Sequence, residues 1–552
     1  MKSAVIVSEA PKLNYMHNYV VLPYYYPSEK YFCRKDVEAI RKTVEENLKK
    51  LDEQTGWKEK FRGRKVVVKP NLVALMHKFG FYLDDIPQTT DPRVFEAIIW
   101  QLSLLDCDIT IAEGAGKGVS TMQYFKDIGI DKIAKYYNCK LIAIEEQPLD
   151  HYYVPKAEVQ KDVYIPRIFS EVIRGDALYV SVPKTKTNLY TGVTLGFKNA
   201  MGTLSGNMRY RNHTWQIEKK LVDLLYLFKP DLTVIDGIIG GEGNTPAPVD
   251  PVKFGVIISG TNSVEVDRVA TRMMGFDPEE INLMKEAKAR GFGDDDTVVI
   301  GEQKQEHFRK AESSFLSPRF RKNWPNVKLL VGYSNDRAPK IEKLSDATPE
   351  FVLEMEAVCR GGCLASMSMF MEMLNKAKHP VNRMRVKMAC ILGDGCEIDG
   401  KRYWFDADGK AYDLEALKKI KKEYKRVLGC GACSRNAWEA CTIKAEGCHN
   451  MGEFIPKMFF TSHALPPVAS WDNEATDSMI IGMIRKWFVI RKLIKQGEMV
   501  DIPFDAYSDK IFPIPQLSDE DMKKDWIFVP MEKLNKEQIK KALKANRMIS
   551  IG

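Results

Sequence analysis

An apolar strand pattern runs directly into a pair of lysines at residues 177–188, which read ALYVSVPKTKTN. Short apolar runs of the same kind recur along the first half of the chain, at residues 66–68, 109–112, 141–144, 232–235 and 256–258. Continuous runs of this length are typical of strands buried on both faces. Helical patterns such as residues 92–105 and 214–228 lie between several of them. This alternation predicts a layered α/β domain with a largely parallel sheet.

The chain of 552 residues is longer than one hydrophobic core usually supports, so we expect at least two domains. The first α/β pattern covers residues 1–302, and a charged stretch with Pro and Ser at residues 303–325 is interpreted as a connector. A second, cysteine-rich α/β pattern occupies residues 326–552 and ends in a predicted helical tail. The predicted fold class is therefore a layered α/β domain followed by a cysteine-rich α/β domain.

Charge and hydropathy exclude several classes of protein. The net charge of +8 is spread over many helices and does not form the clustered stripe typical of nucleic-acid binding. No apolar run reaches the ~18 residues of a membrane span. The apolar run at residues 4–7 is too short for a signal peptide. We therefore expect no transmembrane segment, no nucleic-acid partner and a cytoplasmic location.

Lysines and amides follow several predicted strands, where ligands bind in open α/β sheets. The candidate substrate-binding residues are Lys69, Asn71, Lys184, Lys186, Lys198 and Asn199. Lysines supply fixed positive charge, so these residues predict a small anionic substrate with a carboxylate or phosphate group. The alternative is that each is an ordinary solvated lysine beside a turn. The loop at residues 114–118 lacks the spacing of a nucleotide-binding motif.

Three carboxylates and one imidazole form the candidate acid–base set. Asp236 and Glu242 follow the predicted strand at residues 232–235, Asp267 lies in a predicted helix, and His213 lies in a polar segment. A carboxylate beyond a strand end and near lysines can accept a proton or hold a metal. For Asp267 the alternative is a capping or pairing role, and for His213 it is a surface position.

The same motifs resemble the domain of unknown function 362 family over about residues 60–300. The resemblance is carried by KPNLV at residues 69–73, VPKTKT at 182–187, GFKNAMG at 196–202, VDRVA at 266–270 and MGFDP at 274–278. It implies an association with iron–sulfur proteins and supports His213 as a candidate. The family commonly has His where Asn188 stands. A more remote similarity to the nickel-dependent lactate racemase fold concerns topology and implies no chemistry.

Eight of the eleven cysteines lie within residues 359–448. In a reducing cytosol, thiols at this density are typical of soft metal ligands rather than disulfides. The candidate ligands are Cys363, Cys396, Cys430, Cys433, Cys441 and Cys448. The favoured set for an iron–sulfur cluster of the 4Fe-4S type is Cys430, Cys433, Cys448 and one of the other three. Zinc, with His449 as a ligand, nickel, and structural thiols without metal stay open as alternatives.

Together these patterns predict a metal-dependent protein, either an iron–sulfur oxidoreductase or an electron-transfer protein, that acts on a small anionic substrate. An electron-transfer protein is the partner that this interpretation implies. Two alternatives remain at this point. One is a non-redox isomerase or lyase in which a metal acts as a Lewis acid. The other is a non-catalytic accessory protein that binds metal.

Overall fold

A computed structural model describes the backbone of residues 3–16, 21–73, 88–116, 120–210, 216–245, 249–375, 377, 379–446, 451–466, 480–502 and 516–546. The strands are β1 (Ala4–Glu9), β2 (Lys65–Pro70), β3 (Asp108–Glu113), β4 (Lys140–Ala143), β5 (Leu149–Tyr153), β6 (Asp162–Pro166), β7 (Leu178–Val182), β8 (Lys184–Asn188), β9 (Gly192–Thr194), β10 (Leu232–Glu242), β11 (Asp250–Val252), β12 (Val256–Gly260), β13 (Val298–Ile300), β14 (Val327–Val331), β15 (Met388–Leu392), β16 (Cys396–Ile398), β17 (Lys401–Phe405), β18 (Ala411–Tyr412), β19 (Val427–Cys430), β20 (Ile443–Ala445) and β21 (Ile527–Val529).

Helices pack around these strands. They are α1 (Glu29–Phe32), α2 (Lys35–Thr55), α3 (Trp57–Phe61), α4 (Pro92–Ser103), α5 (Thr121–Ile128), α6 (Ile130–Tyr136), α7 (Arg167–Ile173), α8 (Gly206–Tyr210), α9 (Ile217–Asp223), α10 (Ser263–Met273), α11 (Asn282–Ala289), α12 (Pro318–Asn323), α13 (Pro349–Ala357), α14 (Ala365–Asn375), α15 (Leu414–Tyr424), α16 (Met451–Ser462), α17 (Gly482–Lys495) and α18 (Lys536–Ala545). The predicted α/β fold class is confirmed.

The first sheet has the strand order β13-β1-β12-β10-β7-β2-β3-β4. Strands β8 and β11 pair with β10, and β9 pairs with β8. Neighbouring strands from β10 to β4 run parallel, whereas β12 is antiparallel to both β1 and β10. The sheet is therefore largely parallel at the side that carries β2, β3 and β7. The carboxyl ends of these three strands lie at one edge, where the polar segments follow.

The second sheet has the order β16-β17-β14-β15-β19-β20, with β18 beside β17. Its central strands β14, β15, β19 and β20 are parallel, and β17 joins them antiparallel. Apolar side chains of both sheets and of the helices on them belong to one continuous core, which includes Val68 of β2, Ile98 of α4, Leu329 of β14 and Met367 of α14. The two sheets therefore form packed neighbours.

The end of the chain returns to the first sheet's side of the molecule. Strand β21 pairs antiparallel with β5, which itself pairs with β6, in a small third sheet. Arg485 of α17 forms an ion pair with Glu146. The expected boundary at residue 326 thus separates the two large sheets, but the tail packs on the first domain. A strand that pairs with a distant strand leaves no local sequence pattern, so the position of the tail could not be predicted from the sequence.

No helix in the described ranges is both long and apolar enough to cross a membrane.

Candidate functional site

The six predicted substrate-binding residues meet at the carboxyl ends of the first sheet. Lys69 is the penultimate residue of β2 and Asn71 follows that strand. Lys184 and Lys186 lie on β8, and a short 3-10 segment at Phe197–Thr203 carries Lys198 and Asn199. We call this group the lysine edge, defined as Lys69, Asn71, Lys184, Lys186, Lys198 and Asn199. Lys186 interacts electrostatically with all three other lysines. The expectation that these side chains converge is therefore met by the geometry.

Lys69 is held by a carboxylate that sequence reasoning did not select as a site residue. Its Nζ donates to Glu113 Oε2 at 2.6 Å, to Asn199 Oδ1 at 2.9 Å and to the Pro70 carbonyl at 3.1 Å. Burial raises the pKa of Glu113 to about 7, although the neighbouring Lys69 acts to lower it. Burial also lowers the pKa of Lys69. The only signal for Glu113 in the sequence is a carboxylate as the last residue of a buried strand.

A glycine makes room for this pair. A Cβ atom at Gly202 would lie 2.5 Å from Glu113 Oε1 and 2.6 Å from Lys69 Nζ. A larger residue would therefore displace the Lys69–Glu113 pair.

Lys184 forms the second buried ion pair of the lysine edge. Its Nζ lies 2.8 Å from Asp236 Oδ2, and both side chains are fully buried. The same Asp236 oxygen accepts the backbone N–H of Asp91 at 2.7 Å, and Oδ1 accepts that of Ile238 at 3.2 Å. Burial raises the pKa of Asp236, and the neighbouring Lys184 opposes this shift. The predicted acid–base residue Asp236 is thus engaged in holding Lys184, β10 and the start of α4.

Lys186 is buried without a carboxylate. Its Nζ donates to Asn71 Oδ1 at 2.7 Å and to the Gln88 carbonyl at 2.6 Å. Among the described residues no Asp or Glu oxygen forms an ion pair with it. Burial lowers the pKa of Lys186 well below its usual value, and the surrounding lysines, led by Lys198, lower it further. Both of these acceptors are neutral, and Glu113 acts on Lys186 only through space, without a direct contact.

Lys198 is the partly exposed member of the group. In the described part of the chain its side chain has neither a hydrogen bond nor an ion pair. Burial of its surroundings lowers the pKa of Lys198 to about 8, and the neighbouring Lys69 acts in the same direction.

Asp267 of α10 holds the backbone that carries Lys198. Its Oδ1 accepts the N–H of Gly196 at 2.6 Å, and its Oδ2 accepts that of Phe197 at 3.0 Å. Burial raises the pKa of Asp267 to about 8, while these two hydrogen bonds lower it. A Cβ at Gly196 would lie 2.7 Å from Asp267 Oδ1, so only glycine fits here. These contacts match the capping alternative better than the predicted catalytic role.

The remaining members of the predicted acid–base set are not part of the lysine edge as described. Glu242 is partly exposed and its Oε2 accepts the backbone N–H of Arg309 at 2.8 Å, which ties β10 to the connector. His213 lies outside the described residues. Asn188, at the position where the family commonly has His, accepts the backbone N–H groups of Tyr190 and Thr191 and shapes the turn after β8.

Cysteines gather at the carboxyl ends of the second sheet. We call three of them the cysteine edge, defined as Cys359, Cys363 and Cys433. The thiols of Cys359, Cys433 and Cys363 all interact with the phenol of Tyr333, which follows β14. Burial raises the pKa of Tyr333, and these three thiols raise it further. Sequence reasoning missed Cys359 as a site residue, although its spacing to Cys363 was a usable signal.

Other predicted ligands have the environment of core thiols. Cys430 is fully buried, and a hydrogen bond with Cys390, followed by burial, raises its pKa well above the usual value. Burial raises the pKa of Cys441 to about 12, and its Sγ donates to the Ala437 carbonyl at 3.3 Å. Burial also raises the pKa of Cys396. Cys390, interpreted from the sequence as a small buried hydrophobe, is fully buried.

The described ranges contain no group of three His, Cys, Asp or Glu side chains placed to hold one metal ion. Cys448, a member of the favoured cluster set, lies outside those ranges together with His449. The metal-ligand assignment therefore stays a prediction.

The two edges are joined by the loops that follow β8 and β10. Tyr190 Oη lies 3.4 Å from Ser366 Oγ of α14, and the thiol of Cys363 interacts with the same tyrosine. Asn244 Nδ2 donates to Glu372 Oε1 at 3.0 Å. A few residues after β8, the strand that carries Lys184 and Lys186, the chain thus contacts α14, the helix that begins beside Cys363.

Comparison with known proteins finds one family model that matches part of this chain. Residues 66–272 match the model of a family described as a domain of unknown function, DUF362. This segment is similar to the DUF362 family. All members of the lysine edge lie within the DUF362 segment, as do Asp236, Glu242, Asp267 and His213, whereas the cysteine edge lies beyond its end.

A thylakoid-associated protein of Synechocystis sp. is 29% identical to this chain over 127 residues, which cover 21% of this chain and 38% of the relative. The chain thus spans less than half of that relative's length. No solved structure gives a significant match. The remote similarity to the lactate racemase fold is accordingly not shown.

Proposed function

We propose that this protein binds a small anionic ligand at the lysine edge, through a carboxylate or phosphate group. The observation that carries this proposal is the charge balance of the buried lysines. Lys69 and Lys184 each have a carboxylate partner, whereas Lys186 and Lys198 have none among the described residues. An uncompensated cation in a buried position is costly, so an anion that enters the site would gain strong attraction.

The arrangement supports a division of roles within the site. Lys186 is held by Asn71 and Gln88, and a bound anion would raise its lowered pKa and pair with it as an ammonium. Asn199 accepts from both Lys69 and Asn71, and so holds these side chains relative to each other. Glu113, with a pKa of about 7, can gain or lose a proton in the physiological range. Such perturbed groups are typical of functional sites.

The anion site is tested by measuring phosphate and oxalate binding by calorimetry, with Lys186→Met as the variant. Because methionine removes the charge but fits an apolar environment, we expect a folded protein whose affinity falls by at least about tenfold. The matched control is Lys140→Met, since Lys140 is exposed on β4 and pairs with Asp108 at the opposite strand end. Equal affinity of Lys186→Met and the parent protein would contradict the proposal.

We further propose that the protein is an oxidoreductase or electron-transfer protein with an iron–sulfur cluster beside the lysine edge. The support is the group of three thiols around Tyr333, next to the loop that carries Tyr190. A bound cluster would supply one-electron transfer. The described thiols alone do not make up a ligand set for it, so we assign no step of a reaction to the cluster.

The cluster is tested by elemental analysis of anaerobically purified protein for iron, zinc, nickel and acid-labile sulfide. Roughly four irons with matching sulfide per chain, lost in a Cys363→Ser/Cys433→Ser double variant but retained in Cys139→Ser, would support it. Cys139 is the matched control because it lies in the first domain, away from the cysteine edge. One zinc or nickel without sulfide would favour a non-redox isomerase or lyase, and absence of all three metals would overturn both.

A further inference from the structure

One amine of the lysine edge differs from the other three in its contacts. Lys69, Lys184 and Lys186 are at most 1% exposed, and each donates to named oxygen atoms. Lys198 is partly exposed and has no side-chain partner within the described residues. Its nitrogen is therefore available to a ligand in a way that the nitrogens of the other three are not.

The backbone beneath Lys198 is held from both sides. Asp267 accepts the N–H groups of the two preceding residues, Gly196 and Phe197. The next residue, Asn199, donates to Ser181 Oγ at 3.1 Å and accepts from Lys69 Nζ at 2.9 Å. A reactive side chain on a fixed backbone is the arrangement that covalent catalysis requires.

We infer that Lys198 is a nucleophilic amine that forms an imine with a 2-oxo acid bound at the lysine edge. This inference rests on the proposed anion site and names its substrate class. The positive potential of the lysine edge would attract the ligand's carboxylate, and its neighbouring carbonyl carbon would face Lys198. Burial and the cation of Lys69 keep a useful fraction of Lys198 uncharged near neutral pH, which is a known way to activate a lysine.

The step balances without an oxidant or reductant. The lone pair of the uncharged Lys198 Nζ attacks the carbonyl carbon, and the C=O π electrons move to oxygen. A proton passes from nitrogen to that oxygen to give a carbinolamine. The hydroxyl then leaves as water after taking up a further proton, the C=N bond forms, and the nitrogen's remaining proton returns to solvent.

The test is reduction by sodium borohydride in the presence of pyruvate or glyoxylate, followed by peptide mass spectrometry. We expect a reduced adduct on the peptide that contains Lys198, formed faster as the pH rises through about 8. Lys198→Arg keeps the positive charge but should give no adduct. Lys140→Met is the control and should label like the parent protein. An adduct on another lysine, or the same yield in Lys198→Arg, would overturn the inference.

Oxalate binding, measured on the same protein, separates this inference from the proposed function. Oxalate carries carboxylates but no ketone, so it reports the anion site alone. Protein that binds oxalate but gives no trapped adduct overturns the imine and leaves the anion site standing. Protein that binds neither oxalate nor phosphate overturns the proposed anion site.

Discussion

The lysine edge and the cysteine edge both lie at the ends of parallel strands, but different interactions determine where their side chains lie. Each forms where parallel strands end, at β2, β3 and β7 in one case and at β14, β15 and β19 in the other. A buried ammonium or carboxylate must have partners, so the polar contacts of the first group specify where each side chain lies. A thiol can be buried as a small apolar group, so cysteines near each other in sequence divide between core and site.

The largest effect is expected at the buried ion pair of the lysine edge. Asp236→Ala would leave Lys184 buried without its carboxylate and remove acceptors for the N–H groups of Asp91 and Ile238. We expect a loss of about 3–5 kcal/mol in the free energy of unfolding, measured with urea. The control is Asp108→Ala, whose exposed pair with Lys140 should contribute less than about 1 kcal/mol. Similar losses in the two variants would contradict the contrast between buried and exposed pairs.

The second prediction separates the thiols of the cysteine-rich domain. In metal-free protein at pH 7, iodoacetamide should modify the exposed Cys33 and Cys433 long before the buried Cys441. With a pKa of about 12, Cys441 has about a thousandfold less thiolate than an ordinary thiol, quite apart from its burial. Peptide mass spectrometry over time gives each rate, and unfolded protein is the control in which the rates should converge. Early modification of Cys441 would place it at the site rather than in the core.

A third prediction concerns pH. The pKa of Glu113 is raised from 4.5 to about 7, so the folded chain holds this proton more tightly than the unfolded chain. The associated stability is present below about pH 4.5 and is lost as the pH rises to about 7. Glu113→Gln should flatten this decline in the free energy of unfolding by on the order of 3 kcal/mol.

Asp267, whose pKa is also raised, makes the free energy of unfolding decline in the same direction up to about pH 8, so Glu113→Gln should be compared with Asp267→Asn. Urea denaturation at several pH values gives the curves. A Glu113→Gln curve that parallels that of the parent protein would mean that Glu113 has an ordinary pKa.

The smallest effect is expected where the two edges are joined. Asn244 is buried, donates to Glu372 and accepts the backbone N–H of Glu312 at 2.6 Å. Asn244→Ala should cost about 1–3 kcal/mol in the free energy of unfolding, because it leaves buried polar groups without this partner. Asn436→Ala, which removes an exposed amide bonded to the Asp394 carbonyl, is the control and should have little effect. Equal losses in the free energy of unfolding would show that the contact between Asn244 and Glu372 does not stabilise the fold.

Strand positions and the lysine edge were predictable because both depend on short-range patterns. The strands are continuous apolar runs, and the residue after a strand end lies at the sheet edge whichever way the chain continues. The roles of the carboxylates were not predictable in the same way. Asp267 lies in a helix as expected, but Asp236 lies within β10 rather than beyond its end, because that strand continues to Glu242. Their partners, Lys184 and the N–H groups of Gly196 and Phe197, are decided by packing between distant segments.

The sequence by itself determined the α/β class, the DUF362 segment, the lysine edge and the density of thiols. Only the tertiary structure decided which lysines have carboxylate partners, that Glu113 belongs beside Lys69, and that Cys433 lies beside Tyr333 with Cys363 while Cys441 is buried. It also placed β21 on β5. The physical reason is that charge balance and burial depend on contacts between segments far apart in the chain, whereas strands and their ends are specified by neighbouring residues.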